Sequence, residues 1–355
     1  MKPQCITTAI GSMPFDDPKY AVELSLKRLD VPIWPQLGYF GLKEQMEIQY
    51  SEGMPCTVLD TEKGRMFFQT DGDYSEEFAN FYESYIMAMD PDEGNGDCSA
   101  MAISEEYSHG IYEMERQLKA KGGKLPYLKV QVTGPCSIAL TLVDQDKRAI
   151  YYNEEFRDMI TKAIAMKCRW QIQKFASYAD TIVCFIDEPI LSAFGSSTYV
   201  SVQREDVVNI LIETIDAVHQ DGGLAGIHCC GNTEWSILID AGVDIVNFDA
   251  FEFGETIAMY PEHVKRHLER GGTLAWGICP TSSLIRDETV DSLEERLEYV
   301  MDHLASTAGI EKSLILDQAF LTPACGTGSI AVDDAERVFE LLQALSARMR
   351  EKYGF

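Results

Sequence analysis

The run Thr181-Ile182-Val183-Cys184-Phe185-Ile186, an amphipathic stretch from Asp206 to His219, and then Leu224-Ala225-Gly226-Ile227-His228 decide the fold. The two flanking runs are short, apolar and rich in β-branched or aromatic side chains, as buried strands are. Between them Val207, Val208, Ile210, Leu211, Ile215 and Val218 recur near the 3.6-residue period of a helix. Strand, helix and strand in that order make the unit of a parallel sheet. Upstream, strands are expected at Ile6–Ile10, Val31–Pro35 and Leu128–Thr133; downstream, at Asp244–Phe248, Thr273–Gly277 and Ser313–Asp317. Helical spacing also covers Glu154–Tyr178, Val290–Thr307 and Asp333–Glu351, with Asp333 and Glu336 as an N-cap signal for the last.

Eight strands alternating with helices is the count of an α/β TIM barrel, (β/α)8, with an open doubly wound sheet as the alternative. No repeat or linker divides the chain, so residues 1–355 are expected to form a single domain. The segment 36–127 is too long for one helix and is read as an insertion over the barrel mouth, between strands 2 and 3. Within it, Cys56–Gln69 reads as a hairpin and Asp90–Asp97 as an acidic, turn-rich loop.

Of the 355 residues, 30 are Lys or Arg and 57 are Asp or Glu, for a formal charge of −27. Such a chain repels a phosphate backbone, which excludes nucleic acid as an expected partner. No apolar run reaches the length of a membrane span, and Met1-Lys2-Pro3-Gln4-Cys5 lacks the apolar core of a secretion signal, so a cytoplasmic location is expected. The ten cysteines are scattered rather than regularly spaced, which reads as reduced thiols.

In a barrel, working residues collect where strands end. Here those ends carry Gly11-Ser12, Thr133-Gly134-Pro135, Asp187-Glu188-Pro189, His228-Cys229-Cys230 and Asp249, with Cys325 just beyond the last strand. His228 and Cys230 are two apart, so on an extended strand they share a face, and an imidazole beside a thiolate suits zinc. Cys325 lies in the turn-rich Thr322-Pro323-Ala324-Cys325-Gly326 and can meet them across a closed barrel, with Asp249 or Glu252 as a fourth ligand. Zinc with thiolate ligands can activate an incoming thiol, which can then attack a methyl group; activation of water for hydrolysis is the competing use. Of Asp187 and Glu188 only one should face the axis, where it would serve a substrate ammonium. Ser12, beside the permissive Gly11, could offer a hydroxyl and an N–H to a substrate carboxylate.

Thr7-Thr8-Ala9-Ile10-Gly11-Ser12, Thr133-Gly134-Pro135, Ile186-Asp187-Glu188-Pro189, His228-x-Cys230 and Cys325-Gly326 together resemble the catalytic barrel of cobalamin-independent methionine synthase. His228-Cys229-Cys230-Gly231-Asn232-Thr233 is even more similar to the methylcobamide:coenzyme M methyltransferases, of the same superfamily as uroporphyrinogen decarboxylase. The resemblance implies zinc on His228, Cys230 and Cys325, with Asp249 where the synthase has a glutamate, and amino-acid contacts at Ser12 and Asp187. It implies transfer of a methyl group from a methyl-corrinoid or methyl-tetrahydrofolate to homocysteine or coenzyme M.

Two departures bear on the donor. The loop Gly277–Ser283 has no His to protonate a folate amine, and Ser137–Val143 has no aromatic to stack on a pterin. Both favour a corrinoid, with the acidic surface steering docking to a corrinoid-carrying partner. A decarboxylase-like lyase on the same barrel is the alternative, although its amino-terminal arginines are absent here. A non-catalytic metal-storage or docking barrel is a third reading.

Overall fold

The computed structural model describes residues 2–90 and 94–355. Its nine strands are β1 (Ile6–Thr7), β2 (Thr57–Asp60), β3 (Arg65–Phe68), β4 (Leu125–Thr133), β5 (Ala179–Asp187), β6 (Leu224–Cys229), β7 (Ile245–Asp249), β8 (Thr273–Cys279) and β9 (Ala319–Pro323). Seven form one curled parallel sheet in the order β1-β9-β8-β7-β6-β5-β4, a half-barrel, while β2 and β3 pair separately as the expected antiparallel hairpin. Part of the acidic stretch 90–97, residues 91–93, lies outside the described residues.

Two expected strands come out differently. Residues 31–36 form no regular strand, because Pro32 and Pro35 have no N–H to give to a ladder. The segment still runs between the sheet edges: Val31 N–H donates to Thr7 O at 2.9 Å, and Lys129 N–H to Pro32 O at 2.8 Å. Ser313–Asp317 is helical, within Lys312–Asp317, and the last strand is β9, beginning at Ala319. Leu314-Ile315-Leu316 is a short apolar run that fits either state. The helix buries Ile315 and Leu316. Asp333 is likewise no cap: the helix Val332–Tyr353 starts after Ala331, and Asp334 in its first turn pairs with Arg286 at 2.7 Å.

The period of two along each strand separates two cores. Val183, Phe185, Ile245, Ala275 and Phe320 point inward and make a small apolar plug with Ile10 and Val31. The outward residues pack against the surrounding helices, among them Glu154–Phe175 and Arg204–Gln220. Two residues above the plug the inward side chains turn polar. The strand register pairs Thr133 with Asp187, Asp187 with His228, and His228 with Asn247, placing all four at one height. Polar groups above an apolar plug are what position the site at the carboxyl ends of the strands.

The segment 36–127 contributes to both mouth and wall. Met46 and Tyr50 line the cavity described below, while Thr133 Oγ1 ties the segment down by donating to Met46 O at 2.9 Å. Its helix His109–Lys121 instead packs against Pro18–Arg28 on the outside. Among the described residues no helix is long and apolar enough to cross a membrane.

Candidate active site

Six residues singled out from the sequence, Gly11, Ser12, Asp187, His228, Cys230 and Cys325, line one cavity. The ligand atoms of His228, Cys230 and Cys325 lie within 4.8 Å of one another, and among the described residues no other such cluster of His, Cys, Asp or Glu forms. Most of the ten cysteines are buried hydrophobes, but Cys230 and Cys325 stay partly open to the cavity. Strand β6 carries His228 to the mouth; Cys230 lies just past its end, and Cys325 two residues past β9. Gly326 makes the approach possible, since a Cβ there would fall 2.0 Å from Ser12 Oγ.

The His228 ring is fixed by Asn247. Asn247 Nδ2 donates to Ala275 O at 2.8 Å and to Thr322 Oγ1 at 2.9 Å, which leaves its Oδ1 facing His228 Nδ1 at 2.5 Å. The imidazole therefore donates through Nδ1, and its buried Nε2 has no protein partner. A buried lone pair beside two sulfurs is what a cation-binding site leaves exposed. The sulfurs divide one proton between them. The hydrogen bond from Cys325 pulls Cys230 well below the usual thiol range, while Cys325, holding the proton and buried, is driven far up. A cation arriving there would displace that proton, as thiolate ligation requires. An imidazole nitrogen and two sulfurs fit zinc in donor type and number.

The two adjacent carboxylates part company. Asp187 points inward at the cavity, its Oδ1 buried and without a partner, its carboxyl raised by burial against the pull of Lys129 and His228. Glu188 turns the other way. It accepts from Cys136 N–H at 2.9 Å, Ser137 N–H at 2.7 Å and Ser137 Oγ at 2.7 Å, capping the helix Pro135–Thr141 across the turn. It is absent from the cavity wall. Asp249 also stays outside the ligand cluster: its Oδ1 accepts Glu252 N–H at 2.9 Å and caps Ala250–Phe253, while Glu252 itself is exposed.

No family model matches this chain, and no curated protein matches it. Solved structures do. A methyltransferase from Methanosarcina mazei superposes with a TM-score of 0.57 at 16% identity, over 99% of this chain and 94% of its own. A candidate vitamin-B12 independent methionine synthase from Listeria monocytogenes gives 0.58 at 12% identity, over 98% of each chain. The likeness is one of fold along the whole chain.

Sequence reasoning passed over three residues in or beneath this site. Asn247, Gln131 and Lys129 are polar side chains at inward positions of strands that otherwise read as apolar, and that misfit was the available signal. Gln131 lines the cavity with its orientation set, because its Nε2 donates to Trp34 O at 2.9 Å while its Oε1 is buried without a partner. Gly11 faces it so closely that a Cβ would lie 2.8 Å from the Gln131 amide.

Two predictions follow from this geometry. Asn247→Ala frees the His228 ring, and zinc affinity measured by competition with a chelator should fall by about 10- to 100-fold. Glu188→Gln should leave zinc affinity unchanged but lower unfolding stability by about 1–3 kcal/mol, because the amide NH2 would face the N–H and O–H donors of Cys136 and Ser137 and leave one of them unpaired. Burial pushes the Glu188 carboxyl up to about 7, against the hydrogen bonds from Ser137 and Cys136. The folded state therefore holds this proton more tightly than the unfolded chain, whose glutamates titrate near ~4.3. Its stabilising effect is complete below that value and is lost as pH rises toward 7. Denaturant titrations across that window should show a shallower slope for Glu188→Gln than for the wild type.

Proposed function

We propose that this chain is a zinc-dependent methyltransferase that moves a methyl group from a methyl-corrinoid, or a methyl-tetrahydrofolate, onto a small thiol such as homocysteine or coenzyme M. The observation that carries the reading is the meeting of His228, Cys230 and Cys325 at the wall of one cavity. Its whole-length likeness in fold to a methyltransferase supports it. Zinc on those three residues would lower the pKa of an incoming thiol and keep it nucleophilic near neutral pH. With Asp249 engaged as a helix cap, three protein ligands leave a position for that thiol.

The chain's own groups do the rest. Asn247 holds the His228 tautomer that presents Nε2. Asp187 offers an unpartnered carboxylate oxygen to a substrate ammonium, and Ser12 supplies polar groups on the wall of the same cavity. Met46 and Tyr50 roof the cavity, which limits water around the sulfur. We read the chain as one domain in which part of the segment 36–127 supplies this roof.

His228 is the one imidazole on the cavity wall. A donor whose leaving group needs no protonation, such as a methyl-corrinoid presented by a partner protein, fits that wall better than a folate. The lyase reading gains nothing, because no Arg or Lys lines the cavity to receive several carboxylates. The test is metal analysis of the purified protein together with methyl transfer from methylcobalamin to homocysteine or coenzyme M. One zinc per chain and saturable turnover are expected. A protein that neither takes up zinc nor methylates any thiol overturns the reading.

A further inference from the structure

Lys129 is the one Lys or Arg in the seven strands of the parallel sheet. It is fully buried inside the curl of that sheet, below the cavity and not on its wall. Its Nζ has no hydrogen-bond partner and lies 4.3 Å above the centre of the Phe185 ring. Phe185 precedes Asp187 by two positions on β5, so both face the interior. The ammonium thus sits one inward layer beneath the Asp187 carboxylate, whose Oδ1 is also buried and unpartnered. They are not a contact ion pair. In an apolar interior two opposite charges nevertheless attract across a layer of side chains far more strongly than in water.

We propose that Lys129 is a positioning residue whose buried ammonium is the counter-charge that holds the Asp187 carboxylate at the cavity wall, ready for the cationic end of the thiol substrate. This rests on the proposed role of Asp187 toward a substrate ammonium. The layered placement accounts for a lysine at an inward position beside the apolar plug, and the Phe185 ring face supplies part of its solvation. Burial pushes the amine down to about 8, and the Asp187 charge draws it up. Asp187 is the carboxylate whose charge acts on Lys129, and no Arg or Lys lines the cavity above it.

Lys129→Met keeps the length of the side chain and removes its charge. Two measurements on the zinc-loaded protein test the assignment. The first is a double-mutant cycle in thermal unfolding with Asp187→Asn. Asp187→Asn should lower the midpoint by about 5 °C in the wild-type background and by less than half as much beside Lys129→Met. The second is steady-state methylation. Lys129→Met should raise KM about tenfold for a thiol that carries an ammonium group, with kcat within about threefold and zinc content unchanged. KM for a thiol without the ammonium should not move. A strictly additive cycle, or equal changes for the two thiols, overturns the proposal. Should the wild type methylate no thiol at all, the reading of the site fails, and the cycle alone decides whether Lys129 and Asp187 are coupled.

Discussion

Cys325→Ala is expected to weaken zinc binding by about 100- to 1000-fold, the share of one ligand in a site whose total binding energy is of order 10 kcal/mol or more. The argument is geometric. Cys325 reaches His228 and Cys230 from two residues beyond β9, so no nearby residue replaces its sulfur once it is gone. Asp249 is committed to capping Ala250–Phe253, and Glu252 is exposed. Cys230 also loses the hydrogen bond that most lowers it, and its thiol should titrate higher in the variant. Isothermal titration with zinc, or competition with a chromogenic chelator, reads the affinity. Methyl transfer at limiting zinc should vanish with it and return in part at high zinc. The fold should survive, because Cys325 sits in a turn at the cavity wall and not in the plug below.

Asp187→Asn is expected to lower kcat/KM by about 100- to 1000-fold for a thiol bearing an ammonium group, the cost of removing one charged partner from a buried pair. Asp187 is 7% exposed and enclosed by β4, β6 and the mouth segment, so water replaces the missing charge poorly. The neutral amide keeps the shape but not the charge, and a thiol that lacks the ammonium should lose much less. Comparing the two thiols separates recognition of the amine from general damage to the site. Equal losses would mean that Asp187 acts on the sulfur or the fold and not on the ammonium.

The strands from β4 to β8 were legible because each is a compact apolar run with β-branched residues, bounded by turns and separated by helical spacing. The run at 313–317 was not, because Leu314, Ile315 and Leu316 carry no period that tells a buried turn of helix from a strand. At 31–35 composition pointed to a strand, yet Pro32 and Pro35 remove the donors a ladder needs, leaving an extended strip between two edges.

The site divided the same way. His228 and Cys230 declared themselves through spacing on one face, and Cys325 through its odd place in a glycine turn. The split between Asp187 and Glu188 followed from strand alternation, but which of them faced inward needed the register with Thr133 and His228. Asp249 was drawn to the metal by strand position alone, because the four-residue helix it caps has no sequence period of its own. Asn247 and Lys129 act through neighbours on other strands, so nothing local in the chain announces them beyond their polarity in an apolar run.

The most direct test of the account is zinc-edge X-ray absorption on the purified protein, before and after addition of homocysteine or coenzyme M. The account predicts two sulfurs near ~2.3 Å and nitrogen at ~2.0–2.1 Å in the resting site, and one additional sulfur once the accepted thiol is present. A metal shell without sulfur, or one that no thiol alters, would contradict it.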